Sequence, residues 1–189
     1  MSSRLRLFWA ITLPEEVKEG LDLLRQKWSP FLPGAKWVER ENFHLTVKFL
    51  GEVDASLVPA LGNAVAQGVP CVAPFVLELG GWGVFGNPPR VLWVGVGGDL
   101  AALEGLWRVV EEATGKFGFA PERHFTAHVT LARLRRPQGV EALRQRAEAD
   151  LAAAGMPYRV TVSELHLMQS HLTPRGPHYT SILRLHLGR

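Results

Sequence analysis

One pattern occurs twice. His44-Leu-Thr-Val-Lys-Phe-Leu50 and His128-Val-Thr-Leu-Ala-Arg-Leu134 both read His, apolar, Thr, apolar, two variable residues, Leu, and they stand 84 residues apart in a chain of 189. A repeat at close to half the chain length predicts two similar lobes, each contributing one copy. Residues two apart in a strand share a face, so His44 and Thr46 point one way while Leu45 and Val47 point the other; His128 and Thr130 follow the same rule. The apolar face goes under helices and the His–Thr face lines a cleft, so two histidines face each other across one opening. His124-Phe-Thr126 and His171-Leu-Thr173 repeat only the short His-x-Thr form. His171 runs into Pro174, which predicts a turn there.

An imidazole beside a hydroxyl supplies a group that titrates near neutral pH and a hydrogen-bond donor for an anionic oxygen. Two such pairs can place an acid and a base around one phosphate. Two other readings stand beside this one: histidines with a purely structural role, and a metal pair. The metal reading lacks a third ligand at recognisable spacing and any His-Glu-x-x-His, so no metal and no cofactor is expected. Gly81-Trp-Gly-Val-Phe-Gly86 formally matches a dinucleotide fingerprint, but Asn87-Pro88-Pro89 follows where a helix should open, and the segment reads as a loop. Gly115-Lys116 lacks the upstream glycine of a P-loop, and no Gly-x-Ser-x-Gly elbow occurs. Phe49, Trp82 and Phe85 are candidates for stacking a base.

The remaining pattern interleaves strands and helices. Strands are expected over 4–12, 43–50, 75–79, 91–96, 124–134, 160–168 and 179–187, with turns at 51–54 and 173–177. Apolar stripes predict helices through Val17, Leu21, Leu24 and Trp28, through Leu57, Leu61 and Val65 behind an Asp54 cap, through Leu103 to Phe117, and through Val140, Leu143, Ala147 and Leu151. Strands joined by short turns pair antiparallel, which favours an α+β architecture over a doubly wound parallel sheet. No linker or shift of composition divides residues 1–189, so one domain with two lobes is expected.

Composition narrows the setting. At 47% hydrophobic and 21% charged, with a mean hydropathy of +0.03, the chain is an ordinary globular one, not a collagen, coiled coil or disordered tail. Its apolar stretches fall short of the roughly 18 residues that span a bilayer, so no membrane anchor and no signal peptide is expected. Cys71 stands alone, which excludes an intrachain disulfide and a multi-thiolate metal site and fits a reducing, cytoplasmic setting. Net charge is +3, with sixteen Arg to five Lys; the Arg bias reads either as an anionic partner or as GC-rich codon usage.

These residues resemble the 2H phosphoesterase superfamily, in its RNA 2',3'-cyclic phosphodiesterase branch, also called 2'-5' RNA ligases. The likeness runs through Phe8-Trp-Ala-Ile11, Trp37-Val38, Asn42 to Val53, Phe85-Gly86, Arg90-Val-Leu-Trp93, Arg123, Phe125, His128 to Arg133, Ser170, Leu172 to Gly176 and Tyr179. The resemblance implies a bilobal fold with two antiparallel sheets around a central cleft, helices outside, and a pseudo-twofold axis. It implies opening of a 2',3'-cyclic phosphate at an RNA 3' end to leave a 2'-phosphate, without metal or cofactor, and in some members reversible 2'-5' joining. By the same resemblance His44 is the proton donor, His128 the proton acceptor, Thr46 and Thr130 hold phosphate oxygens, and Arg133, Phe49 and Tyr179 bind substrate. Plain alternation sets Arg133 opposite His128, so a bulge or strand end is required.

The chain departs from the family at Ala127, His124 and His171, where Pro precedes the second motif, no same-face imidazole is added, and Arg is usual. The expected partner is RNA with a cyclic phosphate end, tRNA fragments among them, or a small cyclic nucleotide, and the protein is expected to be a monomer. From another class, a noncatalytic RNA-end binder would use Arg133, Arg135 and Arg136 as a basic edge.

Overall fold

The computed structural model describes residues 3–188. Within them the chain runs β1 (Arg4–Thr12), α1 (Glu15–Trp28), β2 (Lys36–Trp37), β3 (His44–Asp54), α2 (Val58–Gly68), β4 (Phe75–Phe85), β5 (Val91–Gly98) and α3 (Leu100–Gly115). It continues with β6 (His128–Arg133), α4 (Val140–Arg144), α5 (Ala147–Ala153), β7 (Tyr158–Val162), β8 (Glu164–Thr173) and β9 (Gly176–His186). The strands form two antiparallel sheets, one ordered β3-β1-β8-β9 and the other β2-β6-β5-β4-β7. The expected α+β, two-sheet architecture is the one observed.

Each sheet is covered by helices on one face. Leu7, Trp9 and Ile11 of β1 enter the core, while Phe8 and Ala10 alternate to the opposite face. α1 follows β1 yet packs on the other sheet, where Gly20 lets the Tyr158 ring approach its backbone. α2 packs on the first sheet through Gly62 against Leu183, and α3 lies beside α2 and β3. The helix after the first strand of one half thus covers the sheet of the other, which locks the two lobes together. A buried network completes the outer layer: Asp150 accepts from Trp28 Nε1 (2.9 Å), Lys27 Nζ (2.8 Å) and Arg146 Nε (2.7 Å). These donors hold its carboxyl far below the usual range, the Arg146 hydrogen bond first among them.

Several expected boundaries are corrected. β3 does not turn at 51–54 but continues to Asp54, because Gly51 at φ +72° sits at a register shift inside the strand. β4 likewise runs through the supposed glycine loop to Phe85, with its own shift around Gly81. Glycine at positive φ serves a bulge as well as a turn, so composition alone does not separate the two. The strand expected from 124 begins only at His128, which takes His124 out of any sheet face. The single helix over Val140–Leu151 breaks at Gln145 and Arg146, leaving two short helices that keep one apolar stripe. The strand over 160–168 is two strands that part at Ser163 and join different sheets. β8 keeps His171 within the strand and ends at Thr173, where the turn at 174–175 falls inside the expected 173–177.

The first sheet curls. Register sets Pro177 opposite Leu172 and Tyr179 opposite Ser170, toward the Arg6 end of β1, whereas Asn42 precedes His44 at the Thr12 end. Yet Asn42 Nδ2 donates to the Pro177 carbonyl at 2.7 Å, so the β8–β9 tip folds back over the open face. That fold closes one side of the cleft.

Candidate active site

His44 and His128 open β3 and β6, one strand from each sheet, and both line a single cleft of about 510 Å³. Thr46 and Thr130 line it with them, as alternation requires. Beyond the threonines both strands make the same irregularity. Lys48 and Thr46 pair with consecutive residues of β1, leaving Val47 as the extra residue; Ala132 and Thr130 pair with consecutive residues of β5, leaving Leu131. Val47 and Lys48 are both buried, as are Leu131 and Ala132. A bulge at the same position of each repeat reverses the alternation, so Phe49 and Arg133, five residues after their histidines, return to the cleft. The condition set for Arg133 is thereby met by Leu131.

The two imidazoles are oriented alike. His44 Nδ1 lies 2.6 Å from the Asn42 carbonyl and His128 Nδ1 lies 2.8 Å from the Thr126 carbonyl. A carbonyl only accepts, so Nδ1 carries the proton in each ring and Nε2 is left to exchange one. Thr46 Oγ1 sits 2.8 Å from His44 Nε2. Burial pushes the His44 pKa below the ordinary imidazole value; the Asn42 hydrogen bond opposes this, and charge on His128 and Lys18 adds to it. The rings around them differ. Phe8 and Tyr179 pack on His44, with centroids at 4.9 and 5.3 Å, and Phe85 stands edge-on to His128 at 4.9 Å.

The mouth is cationic and partly apolar. Arg6, Lys36, Arg133 and Arg175 line the cleft, with Glu39 the acidic member among the lining residues. Burial raises the Tyr179 pKa, and the charges of Arg133 and Arg6, which line the same cleft, oppose the shift. Phe49 is 63% exposed and Leu172 on the curled tip is 72% exposed, in a cleft they share. Trp82 is not there; it packs on the helix side against Trp28 at 6.2 Å and under the Arg144 guanidinium. Arg135, Arg136, His124 and His171 also lie outside the lining. Phe8, Asn42 and the curled tip were not assigned roles from the sequence. Alternation in β1 does set Phe8 opposite Trp9, but the curl that brings Pro177 to Asn42 has no local signal. Among the described residues no group of three or more His, Cys, Asp or Glu is placed to hold a metal ion, and no helix is long and apolar enough to cross a membrane.

The chain is similar to known proteins over nearly its whole length. An RNA 2',3'-cyclic phosphodiesterase of Methanothermobacter thermautotrophicus is 32% identical over 182 residues, covering 95% of this chain and 97% of that protein. One from Aeropyrum pernix is 38% identical over 154 residues, covering 78% and 83%. The crystal structure of E. coli LigT complexed with 3'-AMP superposes with a TM-score of 0.79 at 26% identity, over 99% of this chain and 100% of that one. Residues 13–174, which hold both histidine motifs and end in the turn between β8 and β9, match the 2'-5' RNA ligase superfamily, and with that match and those relatives the chain belongs to this superfamily.

Proposed function

We propose that this protein hydrolyses the 2',3'-cyclic phosphate at an RNA 3' end, leaving a 2'-phosphate and a free 3' hydroxyl. The observation that carries the reading is the matched pair of His–Thr sets on one cleft, each ring held by a backbone carbonyl so that Nε2 is free to exchange a proton. In the step, His128 Nε2 takes a proton from water, the water oxygen bonds to phosphorus, the P–O3' bond breaks, and His44 Nε2 gives its proton to O3'. Thr46 and Thr130 hold the nonbridging oxygens, and Arg133 offsets their charge. His44 is neutral by preference in the empty cleft; an anionic phosphate between the rings favours its protonated form and loads the acid as substrate binds. Phe49 and Tyr179 flank the nucleoside, and the cations at the mouth favour an RNA strand over a mononucleotide.

The test is an oligoribonucleotide ending in a 2',3'-cyclic phosphate, given with EDTA to wild type, His44→Ala and His128→Ala. Wild type is expected to yield the 2'-phosphate isomer, and each variant to lose about 10²- to 10⁴-fold in rate. A substrate with sulfur in place of the bridging 3' oxygen separates the roles, because a thiolate leaves without protonation. It should rescue His44→Ala and not His128→Ala; the reverse pattern exchanges acid and base. RNA that binds wild type and is not cleaved refutes the hydrolytic reading.

A further inference from the structure

The bulge at Val47 has a second product. It delivers Phe49 to the cleft, and it also turns Lys48, a charged residue, into the protein, where it is 2% exposed. Lys48 Nζ lies 2.6 Å from Glu111 Oε1 of α3 and donates to the Ala120 carbonyl at 3.0 Å. The other Glu111 oxygen, Oε2, accepts the Glu122 backbone N–H at 3.2 Å. Ala120 and Glu122 belong to the segment from 116 to 127, which has neither helix nor strand and leads straight into β6. Phe125 also holds it, stacked on Trp107 of α3 at 5.6 Å and 11°, and Phe117, Phe119 and Ala127 pack against the core. The next residue, Thr126, supplies the carbonyl that fixes His128 Nδ1.

We propose that Lys48 and Glu111 form a strap that positions His128: they tie the segment carrying Thr126 to the strand that carries His44. Lys48 stands four residues after His44, and the pair reaches the chain at Ala120 and Glu122, six and four residues before Thr126, so one largely buried ion pair links the frames of the two imidazoles. A segment without ladder hydrogen bonds of its own takes its place from such ties. The repeat places Ala132 at the position matching Lys48, so the strap is built from one lobe only. Lys48 and Glu111 are positioning residues and touch no reacting atom. The proposal rests on the role given to His128 above.

The test uses the full chain. Lys48→Met alone leaves Glu111 buried without its partner and is expected to destabilise; Lys48→Met combined with Glu111→Met replaces both charges with apolar groups of similar size and is expected to fold. In that double variant kcat should fall about 10- to 100-fold with KM little changed, as for a misplaced catalytic group. The ring nitrogens of His128, observed by 15N NMR and identified by their loss in His128→Ala, should move away from the Nδ1–H tautomer, and the Glu122 amide should exchange faster. A folded double variant with unmoved His128 nitrogens overturns the proposal, whatever its rate. A wild type inactive on cyclic-phosphate RNA overturns the hydrolytic reading instead, and the nitrogen signals then decide the strap alone.

Discussion

Arg133 reaches the cleft only because Leu131 bulges, and its loss is a measurable quantity. A hydrogen bond from a charged donor to a phosphate oxygen contributes about 1.5–3 kcal/mol. At about 1.4 kcal/mol per tenfold, Arg133→Met should lower kcat/KM roughly 10- to 150-fold on cyclic-phosphate RNA. The side chain is exposed, so its removal should cost within about 0.5 kcal/mol of stability and shift the thermal midpoint by no more than about 2 °C. Arg133→Lys keeps the charge and loses the planar fork, so it should recover part of the rate. Rates measured between low and moderate salt should show a weaker salt dependence for the Met variant, by about 0.7 in the log–log slope for a single strand. Phe49→Ala is the internal control, since it occupies the equivalent place in the other repeat. It should cost about 1–3 kcal/mol if it stacks a base and should leave the salt slope alone. An Arg133→Met protein within twofold of wild type, or one that melts several degrees lower, refutes the assignment.

Two further predictions concern stability. Asp150→Asn removes the charge that three donors share; with Lys27 and Arg146 partly exposed the loss is discounted to about 2 kcal/mol, or roughly 4–8 °C in thermal midpoint. Because the folded pKa of Asp150 is depressed, that contribution is present above the unfolded value near ~3.9 and is lost as pH falls through the folded value, so urea titrations should show the gap narrowing below about pH 4. His44 and His166 are both held below the ordinary imidazole pKa, by burial first, with Glu164 opposing the shift at His166. The unfolded chain therefore binds protons that the fold rejects, and stability should fall as pH drops below about 6.5. Urea midpoints at pH 7.5 and 5.5 check the sign, and His166→Gln should lessen the difference.

Periodicity exposed the helices and most strands because each buries one face, and period reveals a one-sided face. It misplaced strand ends at two glycines. Gly51 and Gly81 read as turns and proved to be irregularities inside long strands. It also joined what the fold separates: 160–168 is continuously strand-like, yet Ser163 is the point where the chain leaves one sheet for the other. Trp82 failed as a cleft residue for the same reason, since the shift at Gly81 changes which face the following side chains take.

What the sequence determined by itself is the His–Thr pattern and its duplication. Two His–Thr sets at half-chain spacing, each in an alternating strand, require two like lobes and a shared polar face. The tertiary structure decided which further side chains join them. Bulges at Val47 and Leu131 send Phe49 and Arg133 inward and Lys48 to the core, and the curl of β8–β9 brings Pro177 and Tyr179 over β3. Both depend on how a strand fits its neighbour, an extra residue against one partner or a hairpin folded across a sheet. Such fits are set by contacts between segments distant in the chain, so no local pattern of residues encodes them.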